Sequence, residues 1–172
     1  QPRVMSMASP VIADGYVYVN FLPRTVNMGG QNEVTYLAAI SLDKGLPRWT
    51  TKDDPELQNV WFGSAPVVYG GRVYAAATSS GNGAPSVELI VLNADTGKID
   101  RKVFLCEGRR AMPGWGGWMV SEAPIVAESG GVLFINTNLG ALAAIQAATF
   151  EVLWMIEYEV GAPKQGPNRR WP

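Results

Sequence analysis

The side chains that most often carry out catalysis are nearly absent from this sequence. Its 172 residues include no histidine and one cysteine, Cys106. Triads with a histidine base, zinc sites with histidine ligands and histidine pH switches are therefore excluded within this chain. A lone cysteine closes no disulfide within the chain. Because no histidine is present to activate its thiol, we predict that Cys106 is a small buried hydrophobic residue.

The acidic residues are scattered, and their positions favour structural roles. Asp14, Asp43 and Asp95 stand in glycine-containing turns, where a carboxylate is predicted to accept hydrogen bonds from nearby backbone N–H groups. Residues 53–56, Asp-Asp-Pro-Glu, form the only acidic run. A loop calcium site is one interpretation of this run, but its spacing lacks the Asp-x-Asp-x-Asp-Gly pattern. A solvated loop is favoured, and no catalytic pair is predicted.

The composition is typical of a globular domain with many turns. Hydrophobic residues make up 47% of the chain and charged residues 17%, against a usual charged share of about a quarter. The 19 glycines and 12 prolines are scattered, which favours short elements over long helices. Fourteen basic and fifteen acidic residues give a net charge of −1. No basic surface for nucleic acid or an anionic membrane is therefore predicted.

One uncharged stretch raises a choice between a membrane helix, a soluble helix and strands. Residues 129–150 are 22 residues without a charge, the length of a bilayer-spanning helix. Asparagine, glutamine, threonine and glycine residues within it argue against that interpretation. The alanine-rich part, 139–149, has high helix propensity, but the repeat described next assigns it to a strand and a turn. No transmembrane segment is predicted.

Three passages of the sequence align with one another. Each begins with a small residue and a proline, continues through apolar residues to a glycine turn, and then enters a second apolar strand. The prolines are Pro10, Pro66 and Pro124. A third apolar run and another turn follow in each passage. Four residues after the last turn position stand Trp49, Arg101 and Trp154. These coincident landmarks indicate a repeat.

Each repeat is predicted to form four short antiparallel strands. A proline is tolerated at the first residue of a strand, and Asp-Gly or Gly-Gly between apolar runs is strong hairpin chemistry. The second strand of each repeat is apolar almost throughout, as expected when both faces of a sheet are covered. Four-stranded sheets stacked face to face and repeated radially are the blades of a β-propeller.

These repeats resemble those of the pyrroloquinoline-quinone (PQQ) enzymes and their non-enzymatic relatives. The resemblance rests on residues 93–97 (Asn-Ala-Asp-Thr-Gly), 71–75 (Gly-Arg-Val-Tyr-Ala) and 138–145, and it extends over about residues 8–158. The sequence departs from the family pattern where Arg101 replaces a tryptophan and where Phe150 replaces a turn glycine. The resemblance implies an all-β propeller fold and a periplasmic or secreted location.

We therefore predict one partial propeller domain over residues 1–172, with no helix longer than a turn or two. Its blades are expected at about residues 8–51, 64–104 and 122–158, with 159–172 as a linker towards a further blade. Closed propellers usually have 4 to 8 blades, so further blades of the same propeller are predicted partners. Trp49 and Trp154 are predicted to pack between blades.

Strand direction predicts that the long connections share one rim of the blades. They are residues 21–34, 52–63, 78–86, 105–121 and 161–172. Long loops on a rigid scaffold are common binding sites. The richest connection contains Arg109, Arg110, Trp115 and Trp118, and guanidinium and indole groups are enriched in interface hot spots. We predict these four residues and Trp61 as binding residues. Packing between blades is the alternative for Trp61, Trp118 and Trp171.

Three functions remain open from the sequence. The first is a non-catalytic propeller scaffold without a cofactor, which presents its long loops to a protein or cell-envelope partner. The second, implied by the resemblance, is a fragment of a PQQ-dependent dehydrogenase with PQQ and calcium as cofactors, although one cysteine leaves no vicinal disulfide. The third is an outer-membrane assembly factor of the same repeat type. The scaffold is favoured because the absent histidine and the scattered acids leave no quinone or metal constellation.

Overall fold

The three repeats fold into three antiparallel sheets. The computed structural model describes residues 4–6, 8–23, 35–81, 84–108 and 123–158. The first sheet contains β1 (Val4–Ser6), β2 (Val11–Ala13), β3 (Tyr16–Pro23), β4 (Tyr36–Ser41) and β5 (Pro47–Thr50). The second contains β6 (Val60–Trp61), β7 (Val67–Tyr69), β8 (Arg72–Gly81), β9 (Ala84–Asn93) and β10 (Ile99–Glu107). The third contains β11 (Ile125–Ser129), β12 (Val132–Asn136), β13 (Ala141–Gln146) and β14 (Val152–Glu157).

The fold is a partial β-propeller, as the sequence predicts. Within the described residues the one helical element is a 3₁₀ turn, Pro55–Leu57, and no helix is long and apolar enough to cross a bilayer. The alanine-rich stretch is strand β13 followed by a turn. Local helix propensity is overridden there because β13 pairs on one side with β12 and on the other with β14.

The first strand position of the first two sheets is divided between two short strands. Strands β1 and β2 both pair with β3, and β6 and β7 both pair with β8. Pro10 and Pro66 each stand directly before the second of these short strands. Because proline has no N–H to give to the ladder, the break in pairing falls naturally at that point.

The expected loop over residues 78–86 is wrong. Strands β8 and β9 continue to Gly81 and Ala84, and their pairing runs through that range. The glycine, serine and proline content suggested a loop, but the Ser79 and Ser86 hydroxyl groups lie 2.7 Å apart across the hairpin. Strands β3 and β10 also run further than expected, to Pro23 and Glu107. The strands therefore extend further into the predicted long connections than the sequence suggests.

Two hydrophobic cores join the three sheets. The first core lies between the first and second sheets and the second core between the second and third. Large buried side chains of the first core are Tyr18, Leu37, Trp49, Leu57, Phe62, Ile90 and Leu92. Those of the second core are Tyr74, Leu89, Leu133, Ile135 and Ile145, with half-buried Cys106 packed against them. Cys106 thus contributes apolar surface to a core, although it is half-buried and not fully buried as predicted.

Each of the three sheets contains an equivalent row of three residues. They lie on the second, third and fourth strands of the repeat and pair directly with one another. The rows are Tyr18–Ala39–Trp49, Tyr74–Val91–Arg101 and Phe134–Ala144–Trp154. In the first two sheets the row belongs to the core shared with the following sheet or contacts that sheet directly. The repeat in the sequence is therefore also a repeat in space.

Trp49 closes the junction between the first and second sheets. Its indole Nε1 donates a hydrogen bond of 2.8 Å to the carbonyl oxygen of Ala94 in the following sheet. Its ring lies against Gly97, where a Cβ atom would stand 2.5 Å from the ring atom Cδ2. Arg48 next to it pairs with Asp95 at 3.0 Å. The predicted packing role of Trp49 is confirmed.

The junction between the second and third sheets uses different chemistry at the same positions. Arg101 and Arg72 both lie over the ring of Phe150, with guanidinium carbons 5.2 and 5.4 Å from its centroid. The hydroxyl of Tyr74 donates to the carbonyl oxygen of Ala147 at 3.1 Å, the position that Ala94 occupies in the first junction. The two departures from the repeat pattern, Arg101 and Phe150, are thus neighbours in space.

Candidate functional site

Of the predicted binding residues, Trp61 is the one that the structure describes. Arg109, Arg110, Trp115 and Trp118 lie outside the described residues, so their role stays a prediction. Trp61 is half-buried in β6 and pairs with Thr78 of β8. A Cβ atom on Gly63 would stand 2.9 Å from the Trp61 Nε1 atom and 2.3 Å from the Ala123 Cβ. Gly63 therefore lets the indole and the start of the third repeat approach each other closely.

The bases of the segment 109–122 are held against the third sheet. Gly108, which precedes this segment, is so close to Leu139 that an added Cβ would lie 3.1 Å from the Leu139 Cβ. Ala123, which follows it, accepts a hydrogen bond through its carbonyl oxygen from the Asn138 side chain. Both ends of the segment that carries the predicted arginines and tryptophans are therefore anchored at the turn between β12 and β13.

Two further long segments are anchored at this end of the sheets. The segment 159–172 starts beside the same turn, and the segment 24–34 ends beside Phe62. Tyr158, which precedes 159–172, donates from its backbone N to the carbonyl oxygen of Gly140 at 2.8 Å. Its hydroxyl donates to the Asn136 Oδ1 at 2.6 Å. Thr35, which follows 24–34, accepts at its hydroxyl from the backbone N of Phe62. We call this end of the sheets the long-segment rim: residues 20–23, 35–36, 60–64, 108, 123 and 136–140.

A buried amide at this rim is the feature that sequence reasoning missed. The side-chain Nδ2 of Asn20 donates to the carbonyl oxygens of Phe62, at 2.9 Å, and Ser64, at 3.4 Å. Asn20 is fully buried, and its Oδ1 has no hydrogen-bond partner among the described residues, nor has the Ser64 Oγ. A polar residue within the apolar run 16–21 is the sequence signal that points to this position.

The amide and hydroxyl oxygens of Asn20 and Ser64 are of the type that calcium accepts. A complete calcium site also needs carboxylates, and within the described ranges no group of three or more histidine, cysteine, aspartate or glutamate side chains comes together. The described residues therefore do not by themselves form the metal site that a quinone cofactor of this repeat family implies. The Asn20 Oδ1 and the Ser64 hydroxyl group supply one acceptor and one hydroxyl for a polar group at the rim.

Four of the acidic residues named in the sequence analysis have structural partners: Asp43, Asp54, Glu56 and Asp95. Asp54 caps the 3₁₀ turn by accepting from the Glu56 backbone N at 2.9 Å, and Glu56 pairs with Lys102 at 3.1 Å. Asp43 accepts from the hydroxyl of Ser41. The expectation that Asp95 caps its own turn is wrong, because the Asn93 Oδ1 accepts from the backbone N of Asp95 and Thr96. Asp95 instead pairs with Arg48 across the first junction.

Aromatic side chains line the base of the segment 24–34. The rings of Phe21 and Tyr36 lie 5.4 Å apart between centroids. Burial raises the pKa of the Tyr36 hydroxyl above its ordinary value of 10.0. The phenol of Tyr36 is therefore neutral at physiological pH and remains a hydrogen-bond donor at this rim.

Comparison with known families decides the class of this chain. The family described as outer membrane protein assembly factor BamB matches residues 3–167. The chain belongs to this family of PQQ-like repeat propellers. A comparison with curated protein sequences gives no significant match.

Solved structures with this fold include both enzymes and an assembly factor. The quinohemoprotein alcohol dehydrogenase ADHIIG from Pseudomonas putida HK5 has a TM-score of 0.57 at 20% identity, over 86% of this chain and 26% of its own. BamB from Moraxella catarrhalis has a TM-score of 0.53 at 13% identity, over 88% and 37%. The quinohemoprotein alcohol dehydrogenase from Comamonas testosteroni has 0.54 at 19%, over 91% and 21%. The chain thus spans between about a fifth and two fifths of these proteins, and the likeness shows the fold.

Proposed function

We propose that this chain is part of a non-catalytic propeller scaffold that binds a protein or another cell-envelope component at its long-segment rim. The observation that carries the proposal is the anchoring of three long segments, 24–34, 109–122 and 159–172, at one rim of a rigid set of sheets. Long segments held by a rigid scaffold are where binding usually resides. The other rim carries tight glycine turns.

The class of partner follows from the family. Because the matching family is described as an outer membrane protein assembly factor, a protein of outer-membrane assembly is the partner that we propose. A periplasmic location is part of the same proposal. Arg109, Arg110 and Trp115 are proposed to make the central contacts, with Trp118 and Trp61 beside them, because arginine and tryptophan are the side chains most enriched in hot spots.

The test is capture of partner proteins from an outer-membrane extract by the tagged chain. Replacement of Arg109, Arg110 and Trp115 by alanine is expected to abolish capture and leave the circular dichroism spectrum unchanged. A matched control removes two cations and one exposed apolar side chain from the other rim: Lys44→Ala, Lys98→Ala and Leu46→Ala. The control is expected to capture normally. Equal capture by both variants would show that the rim segment is not the binding site.

A fragment of a quinoprotein dehydrogenase is the second candidate. It is supported by the fold of two quinohemoprotein alcohol dehydrogenases and by the free Asn20 Oδ1 at the rim. Addition of PQQ and calcium chloride distinguishes the two candidates. The scaffold proposal expects no absorbance of bound quinone and no dye-linked alcohol oxidation. If both the absorbance and the oxidation appear, the scaffold proposal is wrong and the dehydrogenase proposal takes its place.

A further inference from the structure

The fourth strand of each repeat lies at the outer edge of its sheet. Strands β5, β10 and β14 each pair with one neighbour, and no other strand in the described part of the chain pairs with their free side. Such an edge presents backbone N–H and C=O groups that another chain can use for strand pairing. Proteins usually protect these edges with charged residues or proline. The three edges can therefore be compared by the residues that protect them.

Two of the three edges carry protecting residues and the third does not. Strand β5 contains Pro47 and Arg48, and β10 contains residues 100–102, Asp-Arg-Lys. Residues 152–156 of β14 are Val-Leu-Trp-Met-Ile, without a charge or a proline. Each of these five side chains is between 41% and 53% exposed. An unprotected apolar edge of this kind is suited to the addition of a strand from another chain.

The backbone of β14 presents Met155 and Glu157 to this edge. The backbone N of Tyr158 donates a hydrogen bond of 2.8 Å to the carbonyl oxygen of Gly140, on the side of β14 where β13 lies. Successive residues of an antiparallel strand direct their backbone groups to opposite sides. The backbone groups of Ile156 therefore also face β13, and those of Met155 and Glu157 face the edge. Both residues can exchange hydrogen bonds with an added strand.

The charges at the ends of β14 favour one kind of added strand. Glu151 and Glu157 flank the apolar run, both are exposed, and neither forms an ion pair within the described residues. A second copy of β14 paired antiparallel about Trp154 would place Glu151 opposite Glu157, and like charges directly opposite each other destabilise a sheet. A strand with basic ends would pair each glutamate with a cation. Charge complementarity therefore favours another protein over a second copy.

We propose that the outer edge of β14 binds an extended segment of a partner protein in which apolar residues alternate and the two ends carry lysine or arginine. The segment adds to the third sheet as a further strand. The backbone groups of Met155 and Glu157 hold it by hydrogen bonds, and Glu151 and Glu157 hold its basic ends by ion pairs. This binding is independent of the binding proposed above for the long-segment rim, because it uses the edge of one sheet and none of the long segments.

The probe is a fluorescein-labelled peptide, Lys-Thr-Val-Thr-Val-Thr-Lys, whose two lysines have the spacing of Glu151 and Glu157. In the antiparallel register its valines lie opposite Leu153 and Met155. Fluorescence anisotropy is recorded with the chain at up to about 1 mM, the range of weak specific association. We expect binding that weakens as salt is added, because the ion pairs at the ends are exposed. A peptide with glutamate in place of both lysines is expected to bind at least about tenfold more weakly.

Met155→Pro removes an N–H group from the edge, and Met155→Ala is the matched control. Proline is tolerated in an edge strand where its missing N–H faces away from the ladder, so both variants are expected to fold, which circular dichroism checks. Met155→Pro is expected to bind the peptide at least about tenfold more weakly than Met155→Ala, since it loses a hydrogen bond and its ring obstructs the added strand. A peptide N-methylated at the valine opposite Met155 tests the same contact on the unaltered chain and is expected to lose binding equally.

Charge reversal tests the kind of partner. The double variant E151K/E157K is expected to bind the glutamate-ended peptide more tightly than the lysine-ended one, the reverse of the wild-type order. Absence of binding of the lysine-ended peptide to the wild-type chain overturns the proposal, and so does binding that Met155→Pro and N-methylation both leave unchanged. Self-association in sedimentation velocity that Met155→Pro abolishes and Met155→Ala retains would identify a second copy as the occupant and overturn the choice of another protein.

Discussion

Gly97→Ala tests the first junction with an internal reference. The substitution adds a methyl group 2.5 to 2.8 Å from three ring atoms of Trp49. The indole cannot move away freely, since it is buried and its N–H is bonded to Ala94 at 2.8 Å. Gly45→Ala is the reference, because its φ of +63° resembles the +69° of Gly97 while its surroundings are open. Both variants place an alanine in the same left-handed backbone conformation, but the added methyl group collides with the Trp49 ring in Gly97→Ala alone.

The expected free-energy changes follow from these contacts. Left-handed backbone costs an alanine about 1–2 kcal/mol, so Gly45→Ala is expected to destabilise the chain by about that amount. Gly97→Ala adds overpacking of about 1–3 kcal/mol and strain on a hydrogen bond with a net contribution of about 1 kcal/mol. We therefore expect Gly97→Ala to lower the free energy of unfolding by about 2–4 kcal/mol more than Gly45→Ala, the sum of those two terms.

The assay is urea unfolding followed by circular dichroism and by tryptophan fluorescence. The two signals must change together for a two-state treatment to hold. Gly97→Ala is then repeated in a Trp49→Leu background, where the added methyl group has no ring to meet. Its extra cost is expected to disappear there. Equal losses of unfolding free energy for Gly97→Ala and Gly45→Ala in the wild-type background would show that Trp49 does not pack on this turn.

Two further predictions concern the second junction and pH. Phe150→Gly and Arg101→Trp together rebuild a tryptophan–glycine pair. A double-mutant cycle is expected to give a favourable coupling of about 1–3 kcal/mol, since Arg101→Trp alone collides with Phe150 and Phe150→Gly alone loses two cation–π contacts; additive changes would contradict this. Burial, assisted by the charge of Asp14, raises the pKa of Tyr18 above 10.0. The stabilisation of the folded state that comes from this pKa shift is therefore complete below about pH 10, and it is lost as the pH rises through the folded-state pKa of Tyr18. Unfolding titrations are expected to show a smaller alkaline loss in Tyr18→Phe than in the wild type, and parallel losses would contradict the burial argument.

Much of the fold is predictable because it depends on short-range chemistry. Glycines with positive φ stand in the turns after the first and third strands, as at Gly45 and Gly97, and these turns set the strand register. The spacing from turn to Trp49 then predicts a packing position. Residues 78–81 and 84–86 form paired strands and not the predicted loop, because loop-forming residue types also occur where a hairpin extends beyond its core.

The contacts across junctions were not predictable from one sequence. Arg101 and Phe150 each look like a departure from the repeat, and their relation depends on which residues face each other across stacked sheets. Phe150 is also unusual as a bulky residue at φ 64°, a conformation that local propensity disfavours. Asn20 is similar, since its partners Phe62 and Ser64 lie more than 40 residues away in the chain. The predicted rim residues Arg109, Arg110, Trp115 and Trp118 remain predictions.

The seating of Trp49 on the following sheet has a consequence for synthesis of the chain. The partner turn at Gly97 is made 48 residues after Trp49, so translation at about 5–20 residues per second separates the two by roughly 2–10 s. A first sheet that forms in that interval has Tyr18 and Trp49 uncovered, because the second sheet that buries them is not yet complete. A ribosome that pauses between the two positions lengthens the exposure of this aromatic surface, and chaperone binding to the nascent chain is expected to peak there and fall once the second sheet has emerged.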